Sequence, residues 1–578
     1  MTRAPVGRLV AGLSVTVLLA GCTAASVEPP AGSGSTKHDM LVPGTGGSAT
    51  VAVDSVPATL NDHTAAGNTA ATRAVASMMW GQVFQVAPDT TPKLDTNMVQ
   101  SAEVVSVKPQ TVVYQIDPRA VWSDGTPVTA QDFVYAWLSQ AGAGRDIDGS
   151  VDSVASSAGY RDIASVVGSN GGKTVTVVFQ TPFADWTSLF DDLLPAHVAE
   201  RVGWNHGFDR FDPAVLVSAG PFLVTSWTPG QQITFGRNPR WWGAPANLDR
   251  IVVQAVPGAP AMAQALRSGA AQVAYPAGFD SSYLAQISSS PQLQSSSSLG
   301  TTSLQLVFNV RHAPLDVSEV RQGIAHAIDR ASLVSTLVQP LAPLVWEDND
   351  HLFANTEPWY ADDAGGYAQP DPAAAARLLA SGGLVPDTRG TWTEHGVPLT
   401  LDFRWAADDP WSASVAPALV AQLVDAGFDV TSTPLTMASL LDSVLPSGAF
   451  DLALAPLETS AFPSSMAGVF GSPPAAGTGG ARNWSGFDDP HVDALFTQAA
   501  QELAADQDRQ LYRQIDMALW AAMPTVPLFA EPTVLASSIS LDSVRDDPGG
   551  LGPLWEVGRW ALLVPESTTT TTRSGAGG

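Results

Sequence analysis

The sequence predicts an α/β or α+β protein of several lobes, long enough for about four structural units at roughly 150 residues each. Three observations carry this. Of 578 residues, 45% are hydrophobic and only 14% charged, so the chain can bury sizeable cores instead of remaining disordered. Segments with apolar residues at every second position are interleaved with segments where they recur every three or four, the patterns of strands and helices. No self-similar period recurs, which argues against a repeat architecture. The formal charge of −27 argues against binding nucleic acid or adhering electrostatically to anionic lipid, because both need clustered Lys and Arg. A single cysteine excludes an intramolecular disulfide, a cysteine-based zinc site and an iron–sulfur cluster.

The elements follow in chain order. Arg3 and Arg8 precede an apolar run from Leu9 to Leu19, too short to span a bilayer, which takes about 20 residues, but suited to a signal peptide over 1–21. Leu19-Ala20-Gly21-Cys22 resembles a bacterial lipobox, which implies that the Cys22 thiol takes a diacylglycerol. Two acyl chains would anchor the protein stably. Residues 22–47, rich in Ser, Gly, Pro and Thr, read as a flexible tether. Trp122-Ser123-Asp124-Gly125-Thr126-Pro127 is a turn, followed by a helix that Thr129 caps and Asp132 completes as a capping box. Thr174–Gln180 alternates as a strand. Gly168–Thr174 superficially suggests a phosphate loop, but it has three residues between its outer glycines where four are needed, and it leads into a strand, so a hairpin turn is expected. Val320–Leu337 has helical spacing. Asp371-Pro372 opens a helix that Gly382-Gly383 ends. Ser412–Ala426 is a helix stopped by Gly427 and followed by the strand Phe428–Thr433, and Phe450–Pro456 is a buried strand. Residues 567–578 read as a disordered tail.

Six segments in register resemble the family 5 extracytoplasmic solute-binding proteins, the peptide- and nickel-type receptors of ABC importers. They are Val121–Phe133; Ala219-Gly220-Pro221-Phe222 with Arg237-Asn238-Pro239-Arg240-Trp241-Trp242; Ala265–Gly269; Phe308-Asn309; Val320–Ile324 with Ala327–Arg330; and Asn483–Gly486 running to Asp493. The likeness covers roughly residues 48–565. It implies an α/β, two-lobed periplasmic-binding-protein-like fold (type II, cluster C) with an extra subdomain. Lobe I would comprise 48–78, 206–304 and 526–566, its subdomain 79–205, and lobe II 305–525. Such lobes close on a solute by hinge motion. The segments themselves read as architectural, with Asp329-Arg330 making a helix-end charge contact.

The resemblance also implies where the cleft lies. Trp80–Phe84, Phe403–Trp411 and Pro456–Pro463 fall where family members line it, giving as ligand candidates Trp80, Phe84, Trp405, Asp408, Asp409, Trp411, Glu458, Thr459 and Ser460, with Phe308, Asn309 and Trp484 from the family-like segments. Oligopeptide receptors of the family place an Asp after the last of these strands to pair with the ligand's ammonium. Here the loop reads Leu457-Glu458-Thr459-Ser460, leaving Glu458 as a substitute and Thr459 and Ser460 as neutral donors. The nine histidines show no metal-ligand spacing, so neither metal nor cofactor is expected. No nucleophile elbow or zinc-protease motif is present, so no enzyme is expected. The implied partners are a peptide or similar small solute, an ABC permease and its ATPase, and the membrane through the lipid alone, with the receptor itself monomeric. Asp191–His197 and Ala407–Pro410 are similar to a mycobacterial lipoprotein subgroup linked to phosphatidylinositol mannoside synthesis, which implies an alternative role as a regulatory or scaffold protein for envelope glycolipid.

Overall fold

The structure is a computed structural model that describes residues 41–566 apart from 143 and 473–481. The signal peptide, Cys22 and the tail therefore lie outside the described residues. Residues 43–47, expected to end the tether, are instead held to the folded body. The Gly44 N–H donates to the Leu562 carbonyl at 2.8 Å, that of Gly46 to Asn247 at 2.7 Å, and that of Gly47 to Asp249 Oδ2 at 2.9 Å.

One ten-stranded mixed sheet organises residues 48–538. Its strands are β1 (Ser48–Val53), β2 (Phe222–Thr228), β3 (Gln232–Arg237), β4 (Arg250–Ala255), β5 (Val273–Tyr275), β6 (Leu293–Phe308), β7 (Thr400–Ala406), β8 (Asp429–Leu435), β9 (Leu452–Glu458) and β10 (Thr525–Ser538). Their spatial order is β8-β7-β9-β6-β10-β5-β1-β4-β3-β2. The long antiparallel pair β6 and β10 divides this sheet. Leu293–Leu299 pairs with Ser538–Pro532 on the side carrying β5 and β1, and Ser303–Val307 pairs with Ala530–Thr525 on the side carrying β9 and β7. The register shifts between Leu299 and Ser303, so two half-sheets meet at an irregular joint. At that joint a Cβ on Gly300 would stand 2.7 Å from the Glu531 carbonyl oxygen, an approach only glycine allows.

Between β1 and β2 the chain inserts a separate four-stranded sheet, in which Val99–Val107, Gln110–Ile116, Thr174–Phe179 and Ile163–Ser169 are neighbours in that order. The suspected phosphate loop is the turn between its antiparallel partners Ile163–Ser169 and Thr174–Phe179. Helix Ala130–Gln140 packs on this sheet. It begins with the expected capping box, in which Asp132 Oδ2 accepts from the Thr129 N–H at 2.8 Å. Asp132 Oδ1 also accepts from the Ala196 N–H, at 2.9 Å. The turn before it closes through Trp122 N–H to the Thr126 carbonyl at 2.7 Å, with Gly125 at a φ of 100°.

The expected continuous helix over Val320–Leu337 is broken. An α-helix covers Ser318–Ala327, Ile328 is extended, and helical structure resumes at Arg330. Tertiary contacts override the periodicity. The Asp329 carboxylate caps the Ser332 N–H, and Arg330 turns inward to donate to the carbonyls of Asp348, Pro527 and Tyr367 at 2.7–3.0 Å. Arg330 thus ties loop, strand and helix together by binding backbone oxygens, and the expected helix-end charge contact is made by Asp329 alone. The cap of Asp371 forms as read, and the helix expected from Ser412 begins earlier, at Pro410, where the ligand candidate Asp409 serves as its cap.

Candidate functional site

The elements on either side of the β6/β10 joint meet directly. From the first side comes the short helix Ala70–Ala76, capped by Thr69, whose hydroxyl accepts from the Thr72 N–H at 3.1 Å. From the second side comes the end of β9. Arg73 and Glu458 close the gap: Nη2 donates to Oε1 at 2.7 Å, while Nη1 donates to Asn68 Oδ1 at 2.8 Å. The pair is half-exposed, at 27% and 37% side-chain accessibility.

Thr459 reinforces the second wall. Its N–H donates to the Thr301 carbonyl at 2.8 Å, and its hydroxyl lies 2.8 Å from that oxygen and 2.6 Å from Glu357 Oε2. One hydroxyl proton cannot serve both acceptors. Burial pushes Glu357 up to about 7, and its Oε2 also accepts from the Ala354 N–H at 2.6 Å. Behind the first wall, burial together with Asp62 pushes Asp191 up to about 7, and Asp192 is also raised.

The inserted subdomain adds two further contacts to the second side. Ala184 N–H donates to the Ala500 carbonyl at 2.8 Å, and Ser464 N–H to Asp185 Oδ2 at 2.9 Å. Beside them lies a cavity of about 410 Å³, lined on one face by Asp162 and Phe183 and on the other by Asp493 and Phe496. That volume lies within the range of small-molecule sites. At Gln305 and Thr525 on the β6/β10 pair, a void of about 10 Å³ leaves room for at most one water.

The twelve ligand candidates separate on inspection. Glu458, Thr459 and Ser460 stand at the seam, where the Ser460 hydroxyl accepts from the Phe462 N–H. Asp409 and Trp411 stand at another junction of the two sides. Asp409 is the cap of helix Pro410–Asp425, and Trp411, 1% exposed, meets Phe279 edge-on at 5.3 Å. The structure accounts for the others by packing or local bonding. Trp80 is buried, with its indole N–H on the Leu60 carbonyl and its ring edge-on to Phe208. Phe84 packs on Trp186, and Phe308 is fully buried. Asn309 donates to the carbonyls of Gly448 and Phe450. Trp405 donates to Ser432, Asp408 caps the Met437 N–H, and half-buried Trp484 edges the small void. Sequence reasoning missed Arg73, Glu357 and Asp185. The one available signal for Arg73 was its place on a capped helix in a chain with only 28 basic residues.

Residues 93–473 match the family model described as bacterial extracellular solute-binding proteins, family 5 Middle. The chain belongs to this family. Among family 5 relatives, the probable monoacyl phosphatidylinositol tetramannoside-binding protein LpqW of Mycobacterium tuberculosis is 29% identical over 481 residues, covering 76% of this chain and 72% of LpqW. The oligopeptide-binding protein OppA of the same organism is 28% identical over 559 residues, covering 91% and 89%. Among solved structures, the periplasmic EDTA-binding protein EppA superposes with a TM-score of 0.83 at 27% identity, covering 91% of this chain and 98% of EppA. The fold is thus that of the two-lobed family 5 receptors. Among the described residues no helix is long and apolar enough to cross a membrane.

Proposed function

We propose that this family 5 protein is a lipid-anchored receptor on the extracytoplasmic face of the cell membrane, acylated at Cys22. It takes an oligopeptide or similar solute between its lobes and delivers it to the permease and ATPase of an ABC importer, performing no chemistry itself. The observation that carries the reading is the pair of long strands with a register shift at their joint, flanked by a seam closed through polar contacts. A polar seam can open because water replaces its hydrogen bonds, and an irregular joint can absorb the rotation. The names of OppA and EppA, binders of oligopeptide and of EDTA, support a small or extended solute bearing carboxylates.

The name of LpqW supports a second reading, in which the same lobes hold an envelope glycolipid for regulation or scaffolding instead of transport. Native mass spectrometry of the protein isolated from its own membranes separates the two. A ladder of peptide or small-acid masses is expected for the receptor. A mannosylated lipid, with no permease co-purifying, would replace the first reading with the second. Empty protein that stays closed with every solute offered would contradict both.

A further inference from the structure

Arg73 and Glu458 lie 385 positions apart in sequence and belong to opposite walls of the seam. Glu458 is the one ion-pair partner of Arg73 among the described residues. When the lobes part, both groups lose that partner to water. When they close on a solute, the two are not equivalent. A carboxylate left without a cation can take up a proton and become neutral, whereas a guanidinium cannot shed its charge. Enclosing an unpaired Arg would therefore be strongly unfavourable, while enclosing an unpaired Glu has an escape. The half-buried acid Asp191, beside Asp62 and Asp192, interacts with Arg73 electrostatically but forms no salt bridge with it.

We propose that Arg73 is the specificity-determining residue of the cleft: the solute presents an anionic group, carboxylate or phosphate, that takes Arg73 from Glu458. Glu458 is then a tethered competitor. It occupies the guanidinium when no solute is present, and its loss from that position accompanies every productive closure. The planar fork of Arg73 suits this exchange, because it can receive a solute oxyanion in the geometry it gives Glu458. The inference rests on the solute-receptor reading above and adds to it the residue that takes up the solute's anionic group and the residue that competes for it.

The test uses the full-length chain and three probes: trialanine, which has a free carboxylate; trialanine amide, which lacks it; and citrate. Calorimetry is run on wild type, Glu458→Gln, Arg73→Gln and Arg73→Lys. Removing a tethered competitor should tighten binding of trialanine and citrate about tenfold in Glu458→Gln. Arg73→Gln should lose both probes, and Arg73→Lys, which keeps the charge without the fork, should retain part of the affinity. Equal binding of trialanine and its amide, or undiminished binding by Arg73→Gln, would overturn the assignment while leaving the receptor reading intact. No binding of either carboxylate probe by Glu458→Gln would also overturn it. The native-membrane solute then tells whether the receptor reading falls as well.

Discussion

The two sides of the β6/β10 joint touch at two junctions of different chemistry. At one, Trp411 and Phe279 meet edge-on within an apolar cluster that also contains Phe529 of β10, with Asp409 beside them held as a helix cap. At the other, Arg73 pairs with Glu458, and Asp185 accepts from the Ser464 N–H. Separating the first would expose apolar surface, at about 25 cal/mol per Å². Separating the second exchanges protein hydrogen bonds for water at little net cost, since half-exposed ion pairs are worth about 0–1 kcal/mol. The apolar junction should therefore behave as the fixed side of the hinge and the polar junction as the side that opens.

The contrast can be broken from either end. Trp411→Ala should have the largest effect, about 3–5 kcal/mol of stability lost in chemical denaturation, because it empties a buried site shared by both lobes. Asn309→Ala should come next, at about 1–3 kcal/mol, since the buried carbonyls of Gly448 and Phe450 lose their donor. Smaller again is the response to pH. Burial raises Asp132 and Asp547 to about 6, and Asp191, Glu357 and Asp508 to about 7. An acid raised by folding lends stability that is fully present below its unfolded value near 4 and is lost as pH rises through its folded value. His351, lowered to about 3 by burial, acts oppositely: its contribution is present above 6.5 and is lost as pH falls. These five acids, with Asp152 likewise raised to about 6 by burial, outweigh one histidine, so Tm measured by calorimetry should be higher at pH 5.5 than at pH 7.5, by roughly 2–4 °C. A Tm that falls on that acidification would contradict the balance. The smallest stability effect belongs to Glu458→Gln, under about 1 kcal/mol, although the same change should free the seam to open.

What was legible in the sequence was local. The box of Thr129 and Asp132, the cap at Asp371, and the hairpin turn at Asn170–Gly172 each depend on neighbours within a few residues, and each formed as read. The break after Ala327 was not legible, because Arg330 is drawn inward by carbonyls as far away as Pro527. The candidate site was legible only on its second wall. Glu458 ends a recognisable strand and Thr459 and Ser460 follow it, whereas the cation that meets Glu458 lies on a short helix near the start of the folded chain. Trp80 looked like a cleft aromatic because its segment follows the first strand, but Leu60 and Phe208 enclose it, and neither is adjacent in sequence.

The central claim, that the lobes turn about β6 and β10 and part at the polar seam, is tested most directly by the distance between spin labels at Gln231→Cys and Asp442→Cys, one exposed on each lobe. Pulsed electron resonance on solute-free protein should give two distances, with Glu458→Gln shifting the population toward the longer one and solute from the native membrane restoring the shorter. A single narrow distance that neither the substitution nor the solute changes would contradict the account.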